Sequence, residues 1–324
     1  MPGAPRTTRP GTAPAGPDAA GPPGPGARRL DLGLLAVAIS GVSVSAPLIA
    51  STAAPALAIA FWRNAMAMGV MSPFALLRGR AELRRMTRRE VGLSALSGVV
   101  LALHFGLWLP SLSMTSVASS TALVTTTPIW TTLFLRMRGQ RQPWLVWAGT
   151  ALAFVGVLLV SGVDLTTSGR ALAGDALALG GGIAAAGYVL LGSRVRRTVS
   201  TLSYTYVCYG TTAVVLLAAC LADGASVGAG YSGQTWVKLA ALTVAAQLLG
   251  HSLLNRVVRG LGPSVTSTAI LLETPGAALI AAVWLGQHPP VAVYPALLVI
   301  LAGLVLVVLG GRGPVAEPSQ LTPV

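Results

Sequence analysis

Four ionisable side chains stand inside long apolar runs: Arg63, His104, His251 and Glu273. A charge at the centre of a membrane helix costs roughly 2.5 to 3.5 kcal/mol on insertion scales, so each is a candidate for binding or proton exchange. Helical spacing puts Thr266 and Ala277 on the face of Glu273, a polar and uncrowded surface suited to holding an amine or a proton. The bland alternative is a protonated carboxyl bonded to a helix break at Pro275. Arg63 has the planar fork of donors that fits a carboxylate, or it snorkels outward or clamps backbone carbonyls of a neighbouring half. His104 and His251 can exchange protons near neutral pH, although a lone His in a helix is usually a packed one.

Weaker polar groups surround these four. His104 shares a face with Ser97, Trp108 and Ser111, while Gln247, His251 and Asn255 form a stripe at steps of four. Ser116, Ser120, Thr127 and Thr131, in the fourth span, fall within about 60 degrees of one another. They line a cavity on one reading and bond back to their own helix on the other. Trp62, Trp108 and Trp284 lie near the ends of apolar runs, where Trp commonly anchors the membrane interface.

The elements that position these residues are membrane helices. Of 324 residues 53% are hydrophobic and 10% charged, with a mean hydropathy of +0.72. Nine acids and twenty-two bases cannot cover a soluble core of this size. The net charge of +13 sits in short clusters between apolar runs, which excludes a nucleic-acid face. Ten spans of near 20 residues are expected, at 32–50, 57–77, 91–110, 115–135, 143–162, 172–192, 203–222, 234–256, 264–285 and 291–310. Residues 1–29, rich in Pro, Gly and Ala, read as a disordered cytoplasmic tail, and 311–324 as a second tail. A signal peptide cleaved near Ser51–Ala54 would remove a helix that the repeat below requires.

Charge asymmetry supports the ten-span parse. With the amino terminus inside, nineteen arginines fall on cytoplasmic positions, against Arg170 and Lys238 outside. The implied location is the inner (plasma) membrane, with both termini cytoplasmic. Cys208 and Cys220 are about 18 Å apart along one helix and cannot bridge. No metal cluster and no cofactor motif occurs.

An offset of 147 residues superposes His104 on His251, Ser120 on Ser267, Thr127-Pro128 on Thr274-Pro275, Gly139-Gln140 on Gly286-Gln287 and Gly156 on Gly303. A five-helix unit is odd, so its second copy is inverted. Inverted repeats place a site at the midplane that opens to either side when one half rocks against the other.

These residues also resemble a known family, the EamA-type permeases of the drug/metabolite transporter superfamily. The resemblance rests on Pro55–Arg63, Ser111–Ser119 and Pro128–Gly139 in residues 30–162, and on Arg259–Ser264, Leu271–Pro275 and Leu285–Gln287 in residues 172–310. The fold class is therefore all-α, ten helices in two inverted five-helix repeats. The resemblance implies a secondary exporter of metabolites or drug-like compounds, and Arg63 matches an arginine characteristic of the family. Gln140 and Gln287 stand where the family usually has glutamate. Expected partners are a small-molecule substrate and the lipid bilayer, with a homodimer open. An intramembrane enzyme lacks a clustered catalytic set, since no HExxH occurs and the third histidine, His288, sits in a loop; an ATP-driven pump lacks its phosphate loop. A passive structural subunit remains an alternative.

Overall fold

The computed structural model describes residues 25–162, 168–287, 291 and 293–310. Helix α1 (Pro25–Ser43) runs into the short α2 (Ser45–Ala50), and α3 (Ala56–Leu77) returns across the bundle. The expected tail is corrected at its end: residues 25–29 extend the first helix, with Pro25 at its start, where the missing N–H has no intrahelical role. Residues 1–24 and 311–324, and with them most of both expected tails, lie outside the described residues, as does His288.

A surface helix α4 (Arg80–Arg85) precedes α5 (Arg88–Ser111), which opens with a reciprocal capping box. The Glu90 amide donates to the Thr87 hydroxyl at 3.2 Å, and the Thr87 amide donates to the Glu90 carboxylate at 2.9 Å. The fourth span is not one helix. It divides into α6 (Val117–Val124) and α7 (Thr127–Met137), because Pro128 lacks the N–H that an unbroken helix needs. Helix α8 (Trp144–Gly162) completes the first half.

The second half follows the same plan with α9 (Gly169–Val195), α10 (Thr201–Ala222) and α11 (Gly233–Leu242). Next come a π-helical segment (Thr243–Ser252) and α12 (Leu253–Ala269). A 3₁₀ turn (Ile270–Leu272) leads into α13 (Glu273–Leu285), and α14 (Val293–Gly310) ends the chain described. Each of the ten expected spans thus falls on helix, though several are interrupted.

Five continuous helical stretches are long and apolar enough to cross a membrane. The last, Gly233–Leu285, has 53 residues, about 80 Å of helix against a hydrocarbon core of about 30 Å, so it must turn. It does so at Gly262, whose φ of 81° is open only to glycine without strain, followed by Pro263.

Helix α3 packs on α10, α5 on α9, α8 on α14, and α1 on both the π segment and α12. In the α8–α14 pair a Cβ added to Gly149 would lie 2.6 Å from the Gly303 carbonyl oxygen, so these backbones touch as small-residue membrane interfaces do. Large apolar side chains such as Leu103, Val214 and Leu298 face outward, a surface that suits lipid.

One end of the bundle carries Arg78–Arg89 and Arg194–Arg197, and here it is called the basic end. There Glu82 of α4 joins the two halves. Its carboxylate accepts from the Ser200 amide at 2.7 Å and from the Ser200 and Ser203 hydroxyls at the start of α10. Burial pushes the Glu82 carboxyl up, but the Ser200 and Ser203 hydrogen bonds outweigh it and hold the group below its ordinary value. A depressed carboxyl stabilises the fold above its unfolded value and loses that contribution as pH falls through the folded one. Wild type should therefore exceed Glu82→Gln in unfolding midpoint by about 2 °C at pH 7, with the gap closing below about pH 4.5. A gap that persisted at pH 3, measured by thermal unfolding in detergent, would contradict this.

Candidate functional site

A space of about 680 Å³, its opening included, lies where the halves meet. Its walls come from α1, α5, α6 and α7 on one side and from α9, the π segment, α12 and α13 on the other. The interrupted helices supply its centre. Both breaks stand beside the Pro128 and Pro275 that the repeat pairs, and across them Thr125 and Thr274 share a hydrogen bond of 2.9 Å. Broken helices at a repeat interface are a common way to place polar backbone and side chains at membrane depth.

Six of the expected site residues line this space: His104, Trp108, Thr127, His251, Asn255 and Glu273. The His104 and His251 rings stand 6.3 Å apart, centre to centre, and His104 stacks on Trp108. His104 Nδ1 lies 2.9 Å from the Gly181 carbonyl oxygen. A carbonyl only accepts, so Nδ1 carries a proton and Nε2 is the nitrogen left to exchange one. Glu273 begins α13 directly after the 3₁₀ turn, is 6% exposed, and receives no hydrogen bond among the described residues.

Three expected residues do not line the space. Ser120 is fully buried against Ser111, hydroxyl to hydroxyl at 2.6 Å. The expected hydroxyl stripe is broken at Thr125–Thr126: Ser116 caps α6, and of the four hydroxyls only Thr127 lines the space. Gln247 leaves the stripe it was expected to share with His251 and Asn255, because π winding places residues four apart off one line.

Gln247 turns instead to Arg63. The Arg63 Nε donates to Gln247 Oε1 at 2.8 Å, and Gln247 Nε2 donates to Asn64 Oδ1 at 3.0 Å. Arg63 Nη1 reaches the Ser45 hydroxyl at 3.3 Å, and its guanidinium lies 4.3 Å from the centre of the Phe105 ring. Arg63 is completely buried and does not snorkel. It joins the halves through a side-chain amide, not through backbone carbonyls.

Sequence reasoning missed Arg196, Tyr188, Thr125 and Ser45 as lining residues. Arg196 was grouped with cytoplasmic loop arginines, yet it is 1% exposed. Its Nη1 donates to Asn255 Oδ1 at 2.9 Å, and Asn255 Nδ2 donates to the Tyr188 oxygen at 2.5 Å. The steps of four at Tyr188, Gly192 and Arg196 were the available signal. Two arginine–amide layers therefore lie eight residues apart along the π segment and α12, about 12 Å at the α-helical rise. The histidine pair and Glu273 belong to the space beside them.

The model of the EamA-like transporter family matches residues 30–162 and again 172–309. The chain belongs to the EamA-like transporter family. It is thus a multi-pass membrane protein of the drug/metabolite transporter superfamily, whose members are transporters and not enzymes. A comparison with curated proteins returns no match. Among the solved structures that match is one titled "Crystal structure of protein", at TM-score 0.65 and 18% identity, covering 88% of this chain and 98% of that one. That likeness concerns the fold alone.

Proposed function

We propose that this EamA-like chain is a secondary transporter of the plasma membrane that exports a small organic molecule by alternating access. Both termini lie in the cytoplasm, and Glu273 serves as the proton site or the contact for a substrate amine. The supporting observation is the shared cavity: each half supplies walls, a histidine and a proline-broken helix, and its lining includes a carboxyl with no hydrogen-bond partner among the described residues. An inverted pair can rock about such a space. The Arg63–Gln247 bond between the halves must then part when the end away from the basic cluster opens.

Glu273 suits proton coupling because a buried carboxyl with no basic side chain within 4 Å among the described residues can alternate between binding a proton and binding cargo. Counter-transport follows: a proton enters as the molecule leaves. The test uses membrane vesicles with the cytoplasmic face outward, bathed in a cell extract, with uptake followed by mass spectrometry. Compounds should enter only when the chain is present, and an acidic lumen should increase their accumulation. If no compound depended on the chain, the transporter reading would be lost.

A further inference from the structure

The second buried arginine points to the chemistry of the cargo. Arg196 ends α9 with its guanidinium folded back over Gly192, where an added Cβ would lie 2.6 Å from Nη1. The guanidinium lies 4.5 Å from the centre of the Tyr204 ring, and its Nε is buried with no partner. Among the described residues the one carboxylate–cation pair within 4 Å joins Asp31 to Arg256, so Arg196 is a desolvated cation without a counter-ion. Leaving such a charge unpaired is costly, and an arriving anion would offset that cost.

We infer that Arg196 recognises a carboxylate on the transported molecule. The inference rests on the transporter reading and deepens it by naming a substrate class. Tyr188 supplies a second donor, since its oxygen accepts from Asn255 while its own hydroxyl proton has no acceptor among the described residues. Arg196 is the sole arginine or lysine in the lining, which suits one carboxylate over a phosphate monoester with nearly two charges. Val124, Val189, Leu254 and Ile270 complete the walls, so the body of the acid is apolar. Gly192 is a positioning residue: it leaves the room that the guanidinium and the Tyr204 hydroxyl share.

The test uses the full chain in proteoliposomes presented with a cell extract. The compounds that move only with the chain should be carboxylic acids, and their methyl esters should compete about 10- to 100-fold less well. Arg196→Lys and Gly192→Ala should raise KM about tenfold with kcat largely kept, whereas a merely structural role would lower kcat and unfolding midpoint together. Should neither variant fold, the ester comparison on wild type still decides. Chain-dependent compounds that were uncharged or phosphates, or esters competing as well as acids, would overturn this inference and leave transport standing. The absence of any chain-dependent compound would instead overturn the transporter reading beneath it.

Discussion

Replacing Glu273 with glutamine will remove the response of transport to a pH gradient while leaving exchange of the cargo itself. For one proton moved per molecule, each pH unit is worth about 1.4 kcal/mol, or tenfold in accumulation. Wild-type vesicles with a lumen one pH unit more acidic should therefore accumulate a chain-dependent compound up to about tenfold, and Glu273→Gln should bring the ratio to about one. Glutamine keeps the shape and the acceptor oxygen of the side chain but cannot release a proton. No described residue bonds to that carboxyl, so the substitution should leave the fold intact. A tenfold ratio surviving in the variant would end the proton scheme.

The second large effect belongs to Arg63. Arg63→Ala strips Gln247 Oε1 and the Ser45 hydroxyl of their donor and empties the space against Phe105. A buried acceptor left unpaired costs about 1 to 3 kcal/mol, and the void adds to it. The expected loss is about 3 kcal/mol, or about 6 °C in unfolding midpoint in detergent, with chain-dependent flux reduced at least about tenfold. Arg63→Met fills much of the volume and buries no charge, so its midpoint should lie above that of Arg63→Ala while its flux stays low. An Arg63→Ala protein melting within about 1 °C of wild type would show that the layer between the halves holds nothing together.

Much of this arrangement was legible because membrane length and symmetry leave coarse marks on a chain. Apolar runs near 20 residues fall on helix throughout, and the 147-residue repeat paired Pro128 with Pro275, although only Pro275 suggested a helix break. His104, His251 and Glu273 were legible because an ionisable group in an apolar run is conspicuous. What escaped depended on local winding. Gln247 was assigned to the cavity by a steps-of-four projection, and no residue type announces a π segment that turns it toward Arg63. Ser120 was misplaced by a projection drawn through a break that Pro128 itself signals. Arg196 escaped because it sits beside Arg194 and Arg197, where charge density suggests a loop, although its guanidinium folds inward.

The two arginine–amide layers differ in what they join: Arg63 bonds across the halves and Arg196 within the second. Arg63 bonds Gln247 across the halves and Ser45 within its own, and leans on Phe105, although its Nη2 is buried without a partner among the described residues. Arg196 is held by Asn255 and Tyr204 within the second half and lines the cavity, with its Nε buried and without a partner among the described residues. On the proposed rocking motion, the first layer would part while the Arg196–Asn255 bond, which lies within the second half, could stay closed.

Access to the cavity tests that motion most directly, and needs no knowledge of the cargo. A cysteine placed at Ile270, on the cavity wall, in a chain with Cys208 and Cys220 replaced by alanine, can be probed with a charged, membrane-impermeant thiol reagent. The probe is applied separately to vesicles of each orientation. Alternating access predicts labelling from both faces, with labelling from the far face rising when the Arg63 layer is weakened and labelling from the basic face falling in step. Labelling from one face under every condition, or a rise from both faces together, would contradict it.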